Sequence, residues 1–415
     1  MKISTNPVRG CKEYLPNEMC VRDKVISIIK RTYANNGFNL IKTPILESLE
    51  WLTNGDEGEN TKLMFKTIKR GAELDLTRTN LTEKDITAEG LKYDQTVPLV
   101  RFWCNNREKL TFPFKSIQID ESFRAERPQK GRLRQFTQCD ADIIGDGSVN
   151  ADIDIISTAL QAYYNVGLRN VEARISDRRI LNAIIDYVGF EKSDQVDIAI
   201  SLDKFDKIAR EGVTNELIEK GYDITKVKKL LDIIIATKTD GVIALNGKID
   251  AELIHNAQLI VDTINQIAPD TMTARFDITI VRGQGYYTGT VFEFYATAYG
   301  FNSAIGGGGR YDNMSQKFIG EPVPMVGFGL GLEPTIMLVT EHHLLVSAEK
   351  KLALLYSLDN TSKDVFEYKT ELQKEYDVAI FLKQKNVRAQ LDRLMQNGYV
   401  GFVDINKKEI VIFEK

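Results

Sequence analysis

Residues 123–138 read FRAERPQKGRLRQFTQ, and this segment holds five cationic side chains within eleven residues. Polar and apolar residues alternate at 115–119 and again at 135–144, which is typical of half-buried strands. A proline and a glycine interrupt the cationic part, so the pattern predicts two strands joined by a flexible loop. A nucleotide triphosphate needs several such cations, so the loop is interpreted as an anion clamp. A solvated hairpin whose cations only improve solubility is the other interpretation of the loop by itself.

The charge of this region differs from that of the whole chain. Residues 101–134 contain nine basic and four acidic side chains, a local charge of +5, whereas the 415-residue chain has a formal net charge of −4. A slightly acidic chain is not a general polyanion binder, so a nucleic-acid contact requires a local basic patch. The 43% hydrophobic and 27% charged content excludes a disordered, collagen-like or disulfide-scaffold protein. The length predicts two or three domains.

Cysteine and histidine usage predicts no metal site. The three histidines and four cysteines are scattered without a CxxC pair, at His255, His342, His343, Cys11, Cys20, Cys104 and Cys139. Zinc requires clustered ligands, and unpaired cysteines are usual in a reducing compartment. The first residues lack an apolar signal-peptide core, and there is no apolar run of transmembrane length. We therefore expect a soluble, cytoplasmic protein without membrane contact.

The pattern along the chain predicts four segments. Residues 1–175 begin with an amphipathic helix and contain the strands around the basic loop, and 176–267 are dominated by helix signals. Strand-like composition returns at 274–281 and 290–295 within the third segment, 268–345. Residues 346–415 alternate strands and helices, which predicts a small α/β domain with a partly parallel sheet. The four segments together predict a β domain with a helical insertion, followed by a small α/β domain.

Two further glycine-containing segments are candidates for a binding site. Residues 281–293, VRGQGYYTGTVFE, combine a cation, two tyrosines and small residues that let a ligand approach the backbone. Residues 304–312, AIGGGGRYD, contain four consecutive glycines, which we expect in a loop or at a crowded strand edge. This run lacks the Lys-Ser/Thr of a phosphate loop, and GFGLG at 327–331 lacks the spacing of a dinucleotide fingerprint. Singly, such runs are more often structural than functional.

Together and in this order, the segments resemble class II aminoacyl-tRNA synthetases, and within them the histidyl-tRNA synthetase family. TPILE at 43–47 resembles motif 1, the dimer-forming segment, and 123–138 resemble motif 2. RGQGYY at 282–287 and GGGGRYD at 306–312 resemble the two signature peptides of the histidyl enzymes. The resemblance covers roughly residues 7 to 340.

The resemblance implies an α+β fold, with an antiparallel sheet flanked by helices. The core of 1–175 and 268–345 would carry the helical insertion of 176–267, and 346–415 would form a reduced anticodon-binding domain. The implied activity is that of a histidine–tRNA ligase, which activates histidine with ATP to histidyl-adenylate and transfers it to tRNA(His). ATP as a substrate, Mg²⁺ as a cofactor and a homodimer are implied with it.

Site residues follow from the resemblance by position. The implied catalytic residues are Arg124 and Arg282 at the α-phosphate, where Arg282 replaces a metal ion used by other class II enzymes. The implied ATP-binding residues are Arg124, Glu126 for the adenine amino group, Arg132 for the outer phosphates and Phe136 for stacking on adenine. The implied histidine-binding residues are Asp94, Thr96, Gln138, Asp142, Tyr286 and Tyr287. These roles are consistent with cations stabilising charge that develops on phosphate, and with carboxylates favouring an N–H-donating imidazole.

The chain departs from the family pattern at several positions. Motif 3 normally ends in Glu-Arg, but Pro334 follows Glu333 here. Proline suits the first turn of a helix, whereas losing a preorganised phosphate partner costs about 3 to 4 kcal/mol of transition-state stabilisation. Arg310 is the cation considered as a substitute. Gly285 replaces an acidic residue, and Gln95 replaces an apolar one. The segment ending at Lys415 is expected to lack the last elements of a full anticodon-binding domain.

These departures leave a second class of function open. The family contains non-synthetase paralogues that bind histidine without charging tRNA, such as the regulatory subunit of ATP phosphoribosyltransferase. Such paralogues usually lack the anticodon domain and have a degraded motif 2, whereas this sequence keeps both features. A catalytically impaired histidine-binding paralogue is therefore the alternative, and an unrelated soluble α/β protein is the third interpretation.

Overall fold

A computed structural model describes residues 3–54, 63–77, 79–128, 133–282, 287–345 and 350–413. The chain divides into two compact units, Met1–Lys12 with Ile26–His342, and Glu13–Val25 with His343–Lys415. The helices are α1 (Pro16–Asn35), α2 (Leu49–Asn54), α3 (Glu83–Ile86), α4 (Thr96–Asn106), α5 (Val149–Asn165), α6 (Arg178–Val188), α7 (Gln195–Leu202), α8 (Phe205–Glu219), α9 (Ile224–Asp240), α10 (Ala251–Ile267), α11 (Gln316–Ile319), α12 (Leu332–Glu341), α13 (Ser362–Leu372) and α14 (Val387–Gln396). The strands are β1 (Asn39–Leu40), β2 (Leu46–Ser48), β3 (Lys66–Ile68), β4 (Thr87–Leu91), β5 (Phe114–Phe123), β6 (Gln135–Ile144), β7 (Glu172–Asp177), β8 (Thr273–Phe276), β9 (Thr290–Tyr295), β10 (Ala304–Arg310), β11 (Met325–Leu330), β12 (Lys351–Tyr356), β13 (Asp377–Leu382), β14 (Gly401–Asp404) and β15 (Ile410–Ile412).

An eight-stranded sheet forms the centre of the first unit, in the order β1-β5-β6-β11-β10-β9-β7-β8. Neighbouring strands from β5 to β7 are antiparallel, whereas β1 and β8 pair in parallel with β5 and β7 at the two edges. Strands β5 and β6 pair along their full length, from Phe114 opposite Ile144 to Phe123 opposite Gln135. The predicted α+β fold and the strand pair around the basic loop are therefore confirmed.

The four-glycine run is an interior strand rather than a loop or a strand edge, so that prediction is wrong. Strand β10 lies between β9 and β11, and its register is continuous from Gly306 to Arg310 on the β11 side. Side chains would not fit there: a Cβ on Gly308 would overlap the carbonyl oxygen of Gly327, and one on Gly309 would lie 2.6 Å from the Thr290 oxygen. Glycine is what allows these three backbones to approach each other.

Helix α5 packs against the central strands through aromatic side chains. Tyr163 lies 5.5 Å from the ring centre of Phe294 and 6.3 Å from that of Phe328, and all three are buried. Its hydroxyl donates a hydrogen bond to the Ile305 carbonyl over 2.8 Å. Tilted and edge-on ring pairs of this kind add directional stabilisation to the burial of apolar area. The contact fixes α5 beneath β10 and β11.

Residues 178–267 are helical, with no strand among them. Helix α6 begins after Asp177, whose carboxylate accepts a hydrogen bond from the Arg179 amide. It ends at Val188 and is capped by Gly189, which has a φ of 97°. The strand predicted at 274–281 is shorter than expected, because β8 ends at Phe276. The Asp277 carboxylate accepts hydrogen bonds from the amide and hydroxyl of Thr279, which turns the chain there.

The second unit contains a four-stranded sheet in the order β13-β12-β14-β15. Strand β12 pairs in parallel with β13 and β14, and β14 pairs antiparallel with β15. Helices α13 and α14 connect the parallel strands, as the alternating pattern predicted. The domain boundaries drawn from the sequence stay a prediction.

Candidate active site

A cavity of about 70 Å³ lies on the central sheet of the first unit. It is lined by Asp94, Thr96, Arg124, Gln138, Asp140, Asp142, Arg282, Tyr287, Gly307, Gly308, Tyr311, Gly327, Phe328 and Gly329. Seven of the site residues predicted from the sequence are among them: Asp94, Thr96, Arg124, Gln138, Asp142, Arg282 and Tyr287. Glu126 and Phe136 do not line it, and Arg132, Gly285 and Tyr286 lie outside the described residues.

Three polar side chains of the cavity come from one face of β6. Side chains alternate along a strand, so Gln138, Asp140 and Asp142 point to the same side of the sheet. Asp94 and Thr96 reach the cavity from the beginning of α4, where the Asp94 carboxylate accepts a hydrogen bond from the Val97 amide over 3.4 Å. A strand and a helix start thus gather the carboxylates predicted to bind histidine.

The glycines of β10 and β11 form the floor of the cavity. A Cβ on Gly307 would overlap the Arg282 guanidinium, and a Cβ on Gly327 would overlap the Asp142 carboxylate. The two side chains can occupy the cavity only because the strands beneath them carry no side chains there. This explains why the glycine run is so close to the predicted site in space.

The two arginines of the cavity are held by defined contacts. The Arg124 Nε donates a hydrogen bond to the Tyr93 carbonyl over 3.1 Å, and its guanidinium carbon lies 5.1 Å from the Phe136 ring centre. Arg282 has a φ of 54°, unusual for a residue other than glycine, and its Nη1 lies 3.1 Å from Glu293 Oε1. Such backbone strain is concentrated at functional sites. Phe136 therefore contacts the site through Arg124.

The buried carboxylates are strongly perturbed. The Tyr311 hydroxyl donates a hydrogen bond to Asp142 over 2.5 Å, but burial outweighs this contact and raises the pKa of Asp142 to about 7. Burial, followed by the negative charges of Asp142 and Asp94, raises the pKa of Asp140 well above its usual range. A cavity with this surplus of acceptors suits a ligand that brings N–H donors.

Sequence reasoning missed Asp140 and Tyr311 as site residues. Tyr311 lies within the GGGGRYD segment that resembles a signature peptide, and this resemblance is the signal that points to it. Asp140 lies two residues from both Gln138 and Asp142, so the alternation of β6 was the signal that could have identified it.

The departures from the family pattern have structural explanations in two cases. Pro334 lies in the first turn of α12, as expected. The Gln95 side chain is buried, donating to the Asp120 carbonyl over 3.1 Å and accepting from Lys92 Nζ over 3.1 Å. The polar residue at position 95 therefore belongs to a buried hydrogen-bond network.

Arg310 is not a substitute for the missing motif 3 arginine. It is 5% exposed and donates from Nε and Nη2 to the Asp152 carboxylate, with its shortest contact at 2.7 Å. Its remaining N–H groups donate to the carbonyls of Asp146 and Ser148 over 3.1 and 2.6 Å. These bonds commit the guanidinium to the start of α5, so the expectation for Arg310 is wrong.

Within the described ranges, no helix has the length and apolar character needed to span a membrane. The same residues contain no group of three or more His, Cys, Asp or Glu placed to hold a metal ion. All four cysteines are free thiols.

Comparison with known proteins gives a consistent result. The family model of histidyl-tRNA synthetase matches residues 10–335. The histidine–tRNA ligase of Leifsonia xyli subsp. xyli is 35% identical, over 96% of this chain and 95% of that protein. The structure of histidyl-tRNA synthetase from Nostoc sp. PCC 7120 is similar with a TM-score of 0.78 and 23% identity, over 99% of this chain and 97% of that one. An ATP phosphoribosyltransferase regulatory subunit/histidyl-tRNA synthetase from Bacillus halodurans has a TM-score of 0.77 at 18% identity, over 97% and 98%. The protein described here belongs to the histidyl-tRNA synthetase family.

Proposed function

We propose that the protein is a histidine–tRNA ligase, which converts histidine and ATP to histidyl-adenylate and pyrophosphate and then transfers the histidyl group to tRNA(His). The observation that supports this most is the composition of one small cavity. Two arginines suited to a phosphate, Arg124 and Arg282, line it together with three carboxylates suited to an N–H-donating amino acid. The name of the relative from Leifsonia xyli agrees with this activity.

Histidine would bind with its ring at the Asp142 end of β6. An ionised Asp142 accepts a hydrogen bond from an imidazole N–H, while Tyr311 fixes the position of its other oxygen. Apolar side chains and amides of similar size cannot supply the same donor, so they leave the buried carboxylate unpaired and bind more weakly. Asp94, Thr96 and Gln138 would hold the amino acid from the side.

The activation step is an in-line attack of the histidine carboxylate on the α-phosphorus of ATP, and pyrophosphate leaves. Negative charge develops on the phosphoryl oxygens, and Arg124 and Arg282 would stabilise it. The carbonyl of Tyr93 and the carboxylate of Glu293 hold these guanidinium groups before the substrates arrive. Such preorganisation avoids rearrangement during the reaction.

The ATP-binding roles of Glu126, Arg132 and Phe136 are part of the same proposal. Phe136 packs against the Arg124 guanidinium, so a base stacked on this ring would lie next to the arginine that faces the α-phosphate. Mg²⁺ would enter with ATP on its outer phosphates, since this ion is usually held by substrate phosphates and one or two carboxylates. The ion would neutralise charge on the leaving pyrophosphate.

A homodimer and a cytoplasmic location are also proposed. The motif 1 segment leads into β2, an edge strand of the three-stranded sheet β2-β4-β3, and Leu46 in this strand is 45% exposed. An exposed leucine on a sheet edge is the kind of surface that a second copy covers. Light scattering coupled to size-exclusion chromatography tests the dimer, and a monomer at micromolar concentration would contradict it.

The test of the activity is histidine-dependent exchange of pyrophosphate into ATP. We expect exchange with the wild-type protein, and Arg282→Ala should lower the rate roughly 100- to 1,000-fold because one preorganised cation is lost. Arg210→Ala is the matched control, since this arginine pairs with the exposed Asp232 in the helical segment outside the cavity. It should leave the exchange rate unchanged.

The alternative is a histidine-binding paralogue that does not activate its ligand. The similarity to the Bacillus halodurans structure and the proline at position 334 favour it, whereas the full-length pairing of β5 with β6 and the second unit favour the ligase. Histidine binding without exchange in the wild-type protein would identify the paralogue.

A further inference from the structure

Lys92 is a fully buried lysine that does not line the cavity. Its ammonium group donates to Asp120 Oδ2 and to Gln95 Oε1 over 3.1 Å each, and to the Thr43 hydroxyl over 3.3 Å. An ammonium group has three N–H donors, so all of them are used. Burying this charge is costly unless it is paired in this way. The presence of Lys92 therefore needs a reason other than contact with a ligand.

The same network holds the loop between β4 and α4, residues 92–95. Gln95 is also fully buried, and its Nε2 donates to the Asp120 carbonyl over 3.1 Å. The Gln118 amide group donates to the backbone carbonyl of Gln95 over 3.3 Å. The loop belongs to neither a helix nor a strand, so contacts to β5 replace the regular backbone bonding that fixes such elements. Lys92 and Gln95 are thus the two anchors of the loop.

The anchored loop and the first residue of α4 carry three groups of the candidate active site. Asp94 and Thr96 line the cavity. The Tyr93 carbonyl accepts the hydrogen bond that holds the Arg124 guanidinium. Anchors and site groups alternate along these five residues, so a shift of either anchor would move the site groups as well.

The charge of Lys92 also reaches the cavity. Burial and the negative charges of Asp142 and Asp94 raise the pKa of Asp140, and the positive charges of Arg124 and Lys92 oppose this increase. Lys92 therefore offsets part of the negative charge of the carboxylates in the cavity, although it lies behind the cavity wall.

Stability alone does not account for this arrangement, because buried ion pairs can often be replaced by apolar side chains of similar volume without loss. Resting on the proposed function of the site, we propose that Lys92 is a positioning residue: its ion pair with Asp120 fixes the loop 92–95 so that the site groups of the loop, and Arg124, lie where histidine and the α-phosphate bind. Hydrogen bonds to a charged group fix direction as well as distance, which an apolar contact does not.

The test measures pyrophosphate exchange in Lys92→Met, first with histidine and then with ATP as the varied substrate. Methionine is an unbranched side chain of similar size that makes none of the three hydrogen bonds. We expect the KM for histidine to rise roughly 10-fold and kcat to fall roughly 10- to 100-fold, since small displacements of positioned groups are costly. The KM for ATP should stay within about twofold, because the proposed adenine contacts, Glu126 and Phe136, belong to other segments.

A second variant separates positioning from a merely structural role. Lys92→Met leaves Asp120 without the charge that lies 3.1 Å from it, so the Tm should fall. The double variant Lys92→Met with Asp120→Asn removes both charges and should recover most of the Tm. Positioning predicts that the KM for histidine stays raised in the double variant. Recovery of this KM together with the Tm would mean that the pair only stabilises the fold, and the proposal would be wrong.

Lys115→Met is the matched control. Lys115 lies on β5 opposite Ile143, so it is on the other face of the sheet from Asp142, and its Nζ pairs with Asp154 over 2.5 Å. Removing this lysine should leave kcat and both KM values unchanged.

Thr43→Val decides the question if neither Lys92 variant folds. Valine has the shape of threonine without the hydroxyl that accepts a hydrogen bond from Lys92. We expect the KM for histidine to rise about threefold with little change in the Tm, as for one lost hydrogen bond. An unchanged KM in this variant would overturn the proposal.

The two proposals fail in different ways. Absence of exchange in the wild-type protein contradicts the ligase proposal, and histidine affinities of the same variants, measured by isothermal titration calorimetry, then test the positioning role. Exchange by the wild-type protein with unchanged constants in Lys92→Met contradicts the positioning role alone.

Discussion

Asp152 and Asp140 are two buried carboxylates of the same unit that differ in their partners. Asp152 accepts hydrogen bonds from Arg310 at both oxygens, and the same guanidinium bonds two carbonyls before α5. Asp140 receives one long hydrogen bond at Oδ2, and its buried Oδ1 has no hydrogen-bond partner among the described residues. Burial raises the pKa of both groups, but only at Asp152 does an adjacent arginine oppose the increase directly. A complete set of partners identifies Asp152 as a structural charge, whereas Asp140 lacks such a set among the described residues.

Breaking the ion pair between Arg310 and Asp152 should have the largest effect, a loss of stability. Arg310→Ala leaves Asp152 buried without its guanidinium, and we expect the free energy of unfolding to fall by about 3 to 5 kcal/mol. Urea denaturation followed by circular dichroism measures this loss. The double variant Arg310→Met with Asp152→Leu removes both charges and should recover much of the stability. If the single variant loses less than the double variant, Asp152 and Arg310 are not a structural pair.

The stability of the protein should depend on pH through the buried carboxylate of Asp142. The pKa of Asp142 is about 7 in the folded protein and near 3.8 in an unfolded chain, so the folded state binds an extra proton between these values. The free energy of unfolding therefore falls as pH rises from about 4 to 7, by at most about 1.4 kcal/mol per pH unit. Asp142→Asn should remove this contribution, seen as a shallower slope in denaturation curves measured across the range. Equal slopes for wild type and variant would contradict the assignment.

The smallest effect is expected from adding a cation at the start of α12. Pro334→Arg restores the residue that the family pattern has at the start of α12, and we expect the rate of pyrophosphate exchange to rise severalfold. Pro334 lies in the first turn of α12, where proline is tolerated but not required. Replacing it with arginine should therefore change the Tm little. An unchanged or lower rate would show that the triphosphate is already bound by another cation.

How far the sequence predicts this molecule depends on which residues are considered. Alternation of polar and apolar residues predicts β5 and β6, although the structure buries both faces of β6 from Cys139 to Ile144. The order of motifs predicts that Asp94, Arg124 and Asp142 meet. The interior position of the glycine run is not predictable from its composition, since it depends on how closely β9 and β11 approach. Asp140 escapes prediction for a related reason: only the assembled cavity shows that one of its oxygens lacks a partner.

The glycine floor also limits how the specificity of this site can change. Where side chains form a pocket floor, mutation can shorten them and admit a larger ligand. Here Gly307, Gly327 and Gly329 present main-chain atoms to the cavity, and these positions have no side chain that could be shortened. Enlargement must come from the walls, at positions such as Tyr287 or Thr96. A side chain at Gly307, Gly327 or Gly329 would instead enter the space next to Arg282, Asp142 or Asp140 and make the pocket smaller. On the floor side, the size limit of the substrate is thus set by the backbone.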